Sequence, residues 1–180
     1  MTVLATARLV LREFTLDDAP FASSLLQEPS FLRHIGDRGV RTDEEARRWL
    51  RDGPLESYRR NGFGLYLTSL AVDATPIGMC GLLKRPVLDD VDIGFAFRPA
   101  FWGQGYAFEA ASAVMAHGRD VLVLPRIVAI ASPDNVRSAK LLERLGLRLE
   151  RRLQVVGGNR ECDLFGTPPG WGRPDPAAGP

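Results

Sequence analysis

The stretch VDIGFAFRPAFWGQGYAFEA, residues 91–110, joins an apolar segment, a glycine turn and the start of an alanine-rich helix. Val91 to Phe97 is a short apolar run of the kind that forms a buried strand. The turn Trp102-Gly103-Gln104-Gly105-Tyr106-Ala107 holds two glycines, which allow a positive φ and close approach of a ligand to the backbone. A helix predicted from about Gln104 to Arg119 would offer unpaired N–H groups and the positive end of its dipole. Strand, glycine turn and helix together predict a cradle for a phosphate-bearing ligand.

Other glycine motifs are excluded by spacing. The turn lacks the G-x-G-x-x-G run early in the chain that marks a Rossmann dinucleotide site. No G-K-S/T follows the glycines, as a P-loop requires. A tight turn that binds nothing remains an alternative, and Arg98 at the end of the strand adds a positive charge nearby.

The rest of the chain predicts one mixed α/β domain with the element order βααβββαβαββ. Helices are predicted from Leu16 to Leu26, from a capping box at Thr42 and Glu45 to about Arg51, and from a Ser132 cap to Gly146. Residues 28 to 41 have a loop-like composition. The predicted strands are Ala7 to Phe14, Phe63 to Ala71, Ile77 to Leu83, Val91 to Phe97, Arg126 to Ala131, and a closing hairpin of Leu147 to Val156 and Glu161 to Phe165 around Gly157-Gly158-Asn159.

Composition limits the class of protein. The 180 residues, 45% of them hydrophobic, suffice for one hydrophobic core. We place a single domain in residues 1–167 and a disordered Pro/Gly-rich tail in residues 168–180. A net charge of +1 gives no field that would favour nucleic acid or an anionic membrane as a partner. Cys80 and Cys162 are expected to be free thiols in a reducing compartment. With no secretory signal and no membrane-length apolar run, the sequence predicts a soluble, cytoplasmic protein without a metal.

Residues 91–110 resemble the central motif of the GNAT acetyltransferase superfamily, in particular its RimJ/RimL-like branch. A second block, Asn135-Val136-Arg137-Ser138 through Leu145-Gly146-Leu147, resembles the Asn-x-x-Ser…Leu-Gly-Phe helix of the same family. The resemblance covers roughly residues 7 to 166 by element order, but only these two blocks are specific. It implies an α/β fold: a single GNAT-like domain whose central, mixed, mostly antiparallel and strongly twisted sheet is flanked by about four helices.

The resemblance also implies a cofactor site for acetyl-CoA, the co-substrate. The strand before the turn would be splayed from its neighbour, so that its backbone could pair with the pantetheine arm. A family tyrosine that acts as general acid aligns with Leu142, so that role must lie elsewhere or be unfilled. The cofactor-binding residues implied are Phe95, Phe97, Gly103, Gln104, Gly105, Tyr106, Ala107, Asn135 and Ser138.

Two side chains are candidates for catalysis. Asp92, Gly94 and Ala96 share one strand face, opposite the core face that carries Phe95 and Phe97. Asp92 is a candidate general base acting through water, and a purely structural carboxylate is an equal alternative. The resemblance makes Ser138 a candidate general acid.

Several of the candidate residues also have a purely structural interpretation. Ser138 could simply allow close packing, and Asn135 could simply cap its helix. Glu109 is interpreted as a structural group bonded to the turn rather than as the base. His34 lies in the segment that borders the acceptor cleft in this family, and a lone loop histidine usually has no special role.

The leading hypothesis is direct transfer of an acetyl group from acetyl-CoA to a primary amine in a ternary complex. The acceptor would be a protein N-terminus or a small molecule, and a homodimer is a further partner to consider. One alternative is a CoA-binding regulatory module without turnover, suggested by the missing tyrosine. Another is a different nucleotide-binding protein that uses the same helix N-terminus.

Overall fold

The computed structural model describes residues 1–155 and 160–172. Eight strands form one sheet in the order β1-β2-β3-β4-β5-β6-β8-β7. All neighbouring strands pair antiparallel except β5 and β6, which are parallel. This confirms the predicted mixed, mostly antiparallel sheet. The strands are β1 Thr2–Ala5, β2 Leu9–Arg12, β3 Leu65–Leu70, β4 Pro76–Leu83, β5 Val91–Phe97, β6 Ile127–Ala131, β7 Arg148–Val155 and β8 Arg160–Gly166.

Six α-helices lie within these described ranges, where about four helices were expected. They are α1 Ala19–Leu26, α2 Pro29–His34, α3 Asp43–Leu50, α4 Glu56–Asn61, α5 Tyr106–Asp120 and α6 Val136–Arg144. A π-helical turn, Arg51–Leu55, joins α3 to α4 and contains Gly53 and Pro54. The Thr42 capping box is confirmed, because its hydroxyl accepts a hydrogen bond from Glu45 N. No helix in the described part of the chain is both long and apolar enough to cross a membrane.

The structure differs from the expected local structure in three places. Residues 28–41 are not all loop, because Pro29 starts helix α2 at a position where a missing N–H costs nothing. The strand β1 was missed because its side chains are exposed or half-buried, and pairing with β2 rather than an apolar pattern holds it. Residues 168–172, placed in a disordered tail, form a turn whose Trp171 packs against the core.

Some predictions fall where the structure gives no description. The turn Gly157-Gly158-Asn159 of the closing hairpin lies outside the described residues, as does the end of the tail at residues 173–180. The two strands of that hairpin, β7 and β8, pair antiparallel as predicted.

The sheet buries a different apolar cluster on each face. Side chains such as Leu9, Tyr66 and Val114 form the core beneath α5, and Leu25, Leu67 and others form the core beneath α1 and α3. Adjacent residues of one strand reach opposite clusters, as the two-residue period of a strand requires. The face of β5 predicted to be core is confirmed: Ile93 and Phe97 are buried beneath α5, and Val91 and Phe95 pack against the same cluster.

The parallel pairing of β5 with β6 is short and positions the rest of the site. Only Val91 with Ile127 and Asp92 with Val128 are paired. From Val128 onward, β6 pairs with β8 on its other side. The backbone edge of β5 beyond Asp92 is therefore open where an interior strand would meet its neighbour.

The close approach of β4 to the start of β3 provides a test of this packing. A Cβ added at Gly81 would overlap the carbonyl oxygen of Gly64, a backbone atom that cannot move away cheaply. We expect Gly81→Ala to lower the free energy of unfolding by about 1–3 kcal/mol, the usual cost of overpacking. Urea denaturation measures this change.

Gly53→Ala is the matched control, because a Cβ there meets nothing within 4 Å. Its free energy of unfolding should stay within about 0.5 kcal/mol of wild type, as for most surface substitutions. Equal denaturation midpoints for both variants would contradict the strand packing described above.

Candidate active site

A cleft of about 1380 Å³ opens where β5 and β6 separate. Its floor includes the open part of β5 and the end of β6, Ala129 to Ala131. Residues of α5 and α6 line one part of the cleft, and residues of α2 and α4 line another. The cleft is thus continuous between the glycine turn and the helices of the N-terminal half.

The register of β5 determines which of its backbone groups face the cleft. Arg98 N donates to Ile77 O at 2.9 Å, so this pair is hydrogen-bonded between β5 and β4. Hydrogen-bonded pairs alternate along antiparallel strands. Ala96 and Gly94 therefore direct their N–H and C=O groups toward β4, and Phe95 and Phe97 direct theirs toward the open side.

Trp102 modifies this edge. Its Nε1 donates to the Phe97 carbonyl at 2.8 Å, so that carbonyl already has a partner. The N–H of Phe97 and both backbone groups of Phe95 remain directed at the cleft. Arg137 lies over the Trp102 ring, 5.1 Å from its centroid, and connects the turn to α6.

The glycine turn has the geometry that its sequence requires. Gly103 and Gly105 have φ values of 76° and 83°, a region that side chains disfavour. Gly105 is the N-cap of α5, which begins at Tyr106, two residues later than expected. Tyr106 and Ala107 line the cleft with both glycines. Because the first N–H groups of a helix have no intrahelical partner, this end of α5 can receive an anion.

Two residues predicted to lie near the ligand make their polar contacts elsewhere in the protein. Gln104 does not line the cleft: its carbonyl accepts from Arg8 Nη1 at 3.0 Å, and its side-chain amide donates to Ala100 O. Its polar groups are therefore bonded outside the cleft, and a role of Gln104 in cofactor binding stays a prediction. Arg98 lies over the Phe21 ring and donates to Ser24 Oγ on α1, so its charge is also directed elsewhere.

Helix α6 brings the second sequence block to the same cleft. Asn135, not the predicted Ser132, is its N-cap, and Asn135 Oδ1 accepts from Ser138 N at 3.1 Å. Ser132 instead donates its hydroxyl to Asp134. Asn135 and Ser138 both line the cleft. The capping alternative for Asn135 is thus observed, and the cap uses only the amide oxygen.

A row of cations follows the cleft-lining side of α6. Lys140 lies between Arg137 and Arg144, and all three residues are exposed. Arg144 lies 4.2 Å from the centroid of the Phe108 ring. The cations and aromatic rings lie at the α5 end of the cleft, which makes that end electropositive.

Asp92 lies at the point where β5 and β6 separate. It is 1% exposed, and both carboxylate oxygens accept from Arg85 Nε, at 3.0 and 2.9 Å. Burial raises the pKa of Asp92 above its usual range, and the Arg85 guanidinium opposes that rise. A raised pKa suits a base working near neutral pH, whereas the ion pair is what a structural carboxylate would make. Both interpretations of Asp92 stay open on these contacts.

The remaining candidates behave as buried or structural groups. Leu142, at the position that the resemblance assigns to the family tyrosine, is 1% exposed and has no hydroxyl that could donate a proton. Cys80 is a free, buried thiol whose pKa is raised by burial. Cys162 is also buried, and it lines the cleft from β8. Among the described residues no group of His, Cys, Asp or Glu is arranged to hold a metal ion.

Sequence reasoning missed the contact between α2 and the loop before α6. Arg33 Nη2 lies 3.2 Å from Asp134 Oδ2, and His34 Nδ1 lies 3.6 Å from Asp134 Oδ1. His34 lines the cleft, as the resemblance suggested. The two partners lie about a hundred residues apart in sequence, so no local pattern marks their contact. Pro29 at a helix start was the available signal for α2.

The fold and cleft agree with comparisons to known proteins. Residues 8–148 match the family model described as an acetyltransferase (GNAT) domain. The uncharacterized N-acetyltransferase p20 of Bacillus licheniformis is 30% identical over 163 residues, covering 86% of this chain and 86% of p20. The uncharacterized N-acetyltransferase YnaD of Bacillus subtilis is 26% identical over 147 residues, covering 82% of this chain and 83% of YnaD.

A solved structure agrees at the level of the fold. RimL, a ribosomal alpha-N-protein acetyltransferase in complex with coenzyme A, superposes with a TM-score of 0.78 at 19% identity, covering 92% of this chain and 97% of that one. The class is therefore that of the acyl-group transferases with a GNAT fold. The chain belongs to the GNAT acetyltransferase family and is an acetyl-CoA-dependent N-acetyltransferase.

Gly105 provides a test of the turn. A β-branched side chain is strained at a φ of 83° and would displace the N-terminus of α5. We expect Gly105→Val to abolish measurable binding of acetyl-CoA, as followed by isothermal titration calorimetry. Gly62→Val shares the strain, with φ 75° at the end of α4, but Gly62 does not line the cleft. That control should keep the wild-type dissociation constant, and equal constants for all three proteins would exclude the turn from the site.

Proposed function

We propose that the protein binds acetyl-CoA in the cleft between β5 and β6 and transfers the acetyl group directly to a primary amine in a ternary complex. The acceptor class is a peptide N-terminus or a small-molecule amine. The continuity of the cleft, from the N-terminus of α5 to the helices α2 and α4, carries the proposal. Direct transfer requires this geometry, because both substrates must be bound at once with their reacting atoms in contact.

Backbone groups account for the donor half of the cleft, the part proposed to bind acetyl-CoA. The pyrophosphate would lie at the free N–H groups of Gly105, Tyr106 and Ala107, where the helix dipole favours negative charge. The pantetheine arm would run along the open edge of β5, donate a hydrogen bond to the Phe95 carbonyl and accept one from the Phe97 N–H. This supplies the edge strand with the partner that β6 does not provide beyond Asp92.

The chemistry needs a stabilised oxyanion, a proton donor and a proton acceptor. The amine nitrogen attacks the thioester carbonyl, the new C–N bond forms and the C–S bond breaks. The Phe95 N–H would stabilise the negative charge on the carbonyl oxygen. The Ser138 hydroxyl would donate a proton to the leaving thiolate, and Asp92, through water, would take the proton that the amine loses.

The half of the cleft proposed for the amine acceptor differs in character, because residues of the N-terminal helices line it. Trp49, Glu56 and His34 contribute to this end of the cleft. Arg33 and His34 meet Asp134, so α2 reaches the loop before α6 across the mouth of the cleft. The acceptor would therefore enter between α2 and α4 and present its amine toward Phe95.

Family membership favours an enzyme, and Leu142 is the one observation that favours the second candidate, a CoA-binding module without turnover. Where relatives carry an acidic hydroxyl, this chain has a buried hydrocarbon. The two candidates agree on the donor half and differ only in whether thiol is released.

Release of CoA from acetyl-CoA in the presence of amines tests the function. We expect thiol release above the hydrolysis background with at least one member of a panel of peptides and small amines. Initial rates should give intersecting double-reciprocal lines, because both substrates bind before any product leaves. Acetyl-CoA binding without thiol release across the panel would favour the second candidate, and parallel lines would indicate a covalent intermediate, for which Cys162 is the cleft thiol.

Asp92→Asn tests the proton acceptor. Only an ionised carboxylate accepts a proton, so the wild-type kcat should fall as the pH drops through the raised pKa of Asp92. The variant should lose this acid limb and about a hundredfold in kcat at neutral pH, a typical contribution of a general base. Its dissociation constant for acetyl-CoA should change much less.

Asp90→Asn is the matched control. Asp90 lies two residues before Asp92, forms an ion pair with Arg126 and does not line the cleft. It should keep the wild-type pH profile. A lower melting temperature for Asp92→Asn with an unchanged acid limb would assign Asp92 to structure alone.

A further inference from the structure

We propose that Arg8, held by Glu109, is a positioning residue that orients the glycine turn for the cofactor pyrophosphate. The inference rests on the proposed function, because it assumes that acetyl-CoA occupies the N-terminus of α5. Arg8 lies in the connection between β1 and β2, about a hundred residues before the turn, and neither specific sequence block contains it. It does not line the cleft, so it acts through the turn and not on the ligand.

Glu109 anchors Arg8 with several hydrogen bonds. Glu109 Oε1 accepts from Arg8 N at 3.0 Å and from Thr6 Oγ1 at 2.6 Å. Its Oε2 accepts from Arg8 Nε at 2.7 Å and lies 2.6 Å from Arg8 Nη2. A planar guanidinium held at two of its nitrogens has a fixed orientation. The predicted structural role of Glu109 is thus realised through Arg8.

The third nitrogen of the guanidinium reaches the turn. Arg8 Nη1 donates to the Gln104 carbonyl at 3.0 Å. In a trans peptide the carbonyl and the following N–H point in opposite directions. Holding the Gln104 oxygen on the Arg8 side therefore directs the Gly105 N–H to the other side. Gly105 lines the cleft and Gln104 does not, which agrees with this orientation.

The glycine turn needs such a support because its own residues do not fix its backbone conformation. Both glycines are exposed and have wide conformational freedom, so an unsupported turn would lose entropy on binding a ligand. Arg8 also lies over the Tyr106 ring, 4.5 Å from the centroid, and so contacts the first residue of α5. Arg8 thus contacts the residue on each side of Gly105: the carbonyl of Gln104 and the ring of Tyr106.

The charge of Arg8 is not the source of its effect. Glu109 neutralises the guanidinium at direct contact, so the pair adds little net field at the anion site. Orientation requires the fork of the guanidinium, which an ammonium cannot reproduce at both partners. Arg8→Lys therefore keeps the charge and loses the orientation, which separates the two explanations.

The experiment measures acetyl-CoA binding by calorimetry and steady-state kinetics for wild type, Arg8→Ala, Arg8→Lys and a control. We expect both Arg8 variants to bind acetyl-CoA about tenfold more weakly, as for the loss of one hydrogen bond to a charged group. The KM for acetyl-CoA should rise to match, while kcat and the KM for the amine stay near wild type. A merely structural arginine would lower the melting temperature without this selective effect.

Arg119→Ala is the matched control. Arg119 lies at the other end of α5, donates to Asp120 through two nitrogens and is 46% exposed, against 47% for Arg8. It should leave the binding constant unchanged.

The possible failures can be told apart. No acetyl-CoA binding by the wild-type protein would overturn the proposed function. Wild-type binding that persists unchanged in a folded Arg8→Ala variant would overturn only the role of Arg8. Should Arg8→Ala not fold, wild-type affinity in Arg8→Lys would overturn the orienting role just as clearly.

Discussion

The separation of β5 from β6 after two paired residues is the constraint on which the site depends. A strand in the middle of a sheet normally satisfies its backbone on both edges. Beyond Asp92, the only strand that pairs with β5 is β4, because β6 pairs with β8 instead. The gap leaves a row of strand donors and acceptors open within a protein interior. A ligand with amide groups at strand-like spacing, as in a pantetheine arm, can fill it without rearranging the fold.

The same separation explains where the two helices begin. Helix α5 follows β5 and α6 follows β6, so each helix N-terminus lies at the end of a strand that borders the gap. Gly105 caps one helix through its backbone conformation, and Asn135 caps the other through its side chain. The first cap leaves N–H groups free, and the second consumes one of them. The anion site is thus expected at α5, while α6 contributes side chains.

Local sequence patterns predicted those features that local physics determines. The buried face of β5 followed from its two-residue period, and the glycine turn followed from the positive φ values it needs. Helix α2 and strand β1 were missed, because a six-residue helix and an exposed edge strand carry little periodic signal. Gln104 lies inside the family motif, yet a contact with Arg8, almost a hundred residues earlier, turns it away. No window of sequence contains both partners of such a contact.

This difference also explains why the donor is easier to identify than the acceptor. In the proposed site, the half that binds acetyl-CoA would use backbone N–H and C=O groups, which every residue except proline supplies, and only glycines and a cap are needed to expose them. The acceptor half is formed by side chains of α2 and α4 and by the Asp134 contact, which the tertiary fold brings together. The identity of the residues on α2 and α4 can vary without disturbing β5 or the glycine turn. Selectivity for the amine is therefore expected to reside in these helices, and the chemistry of transfer in the sheet.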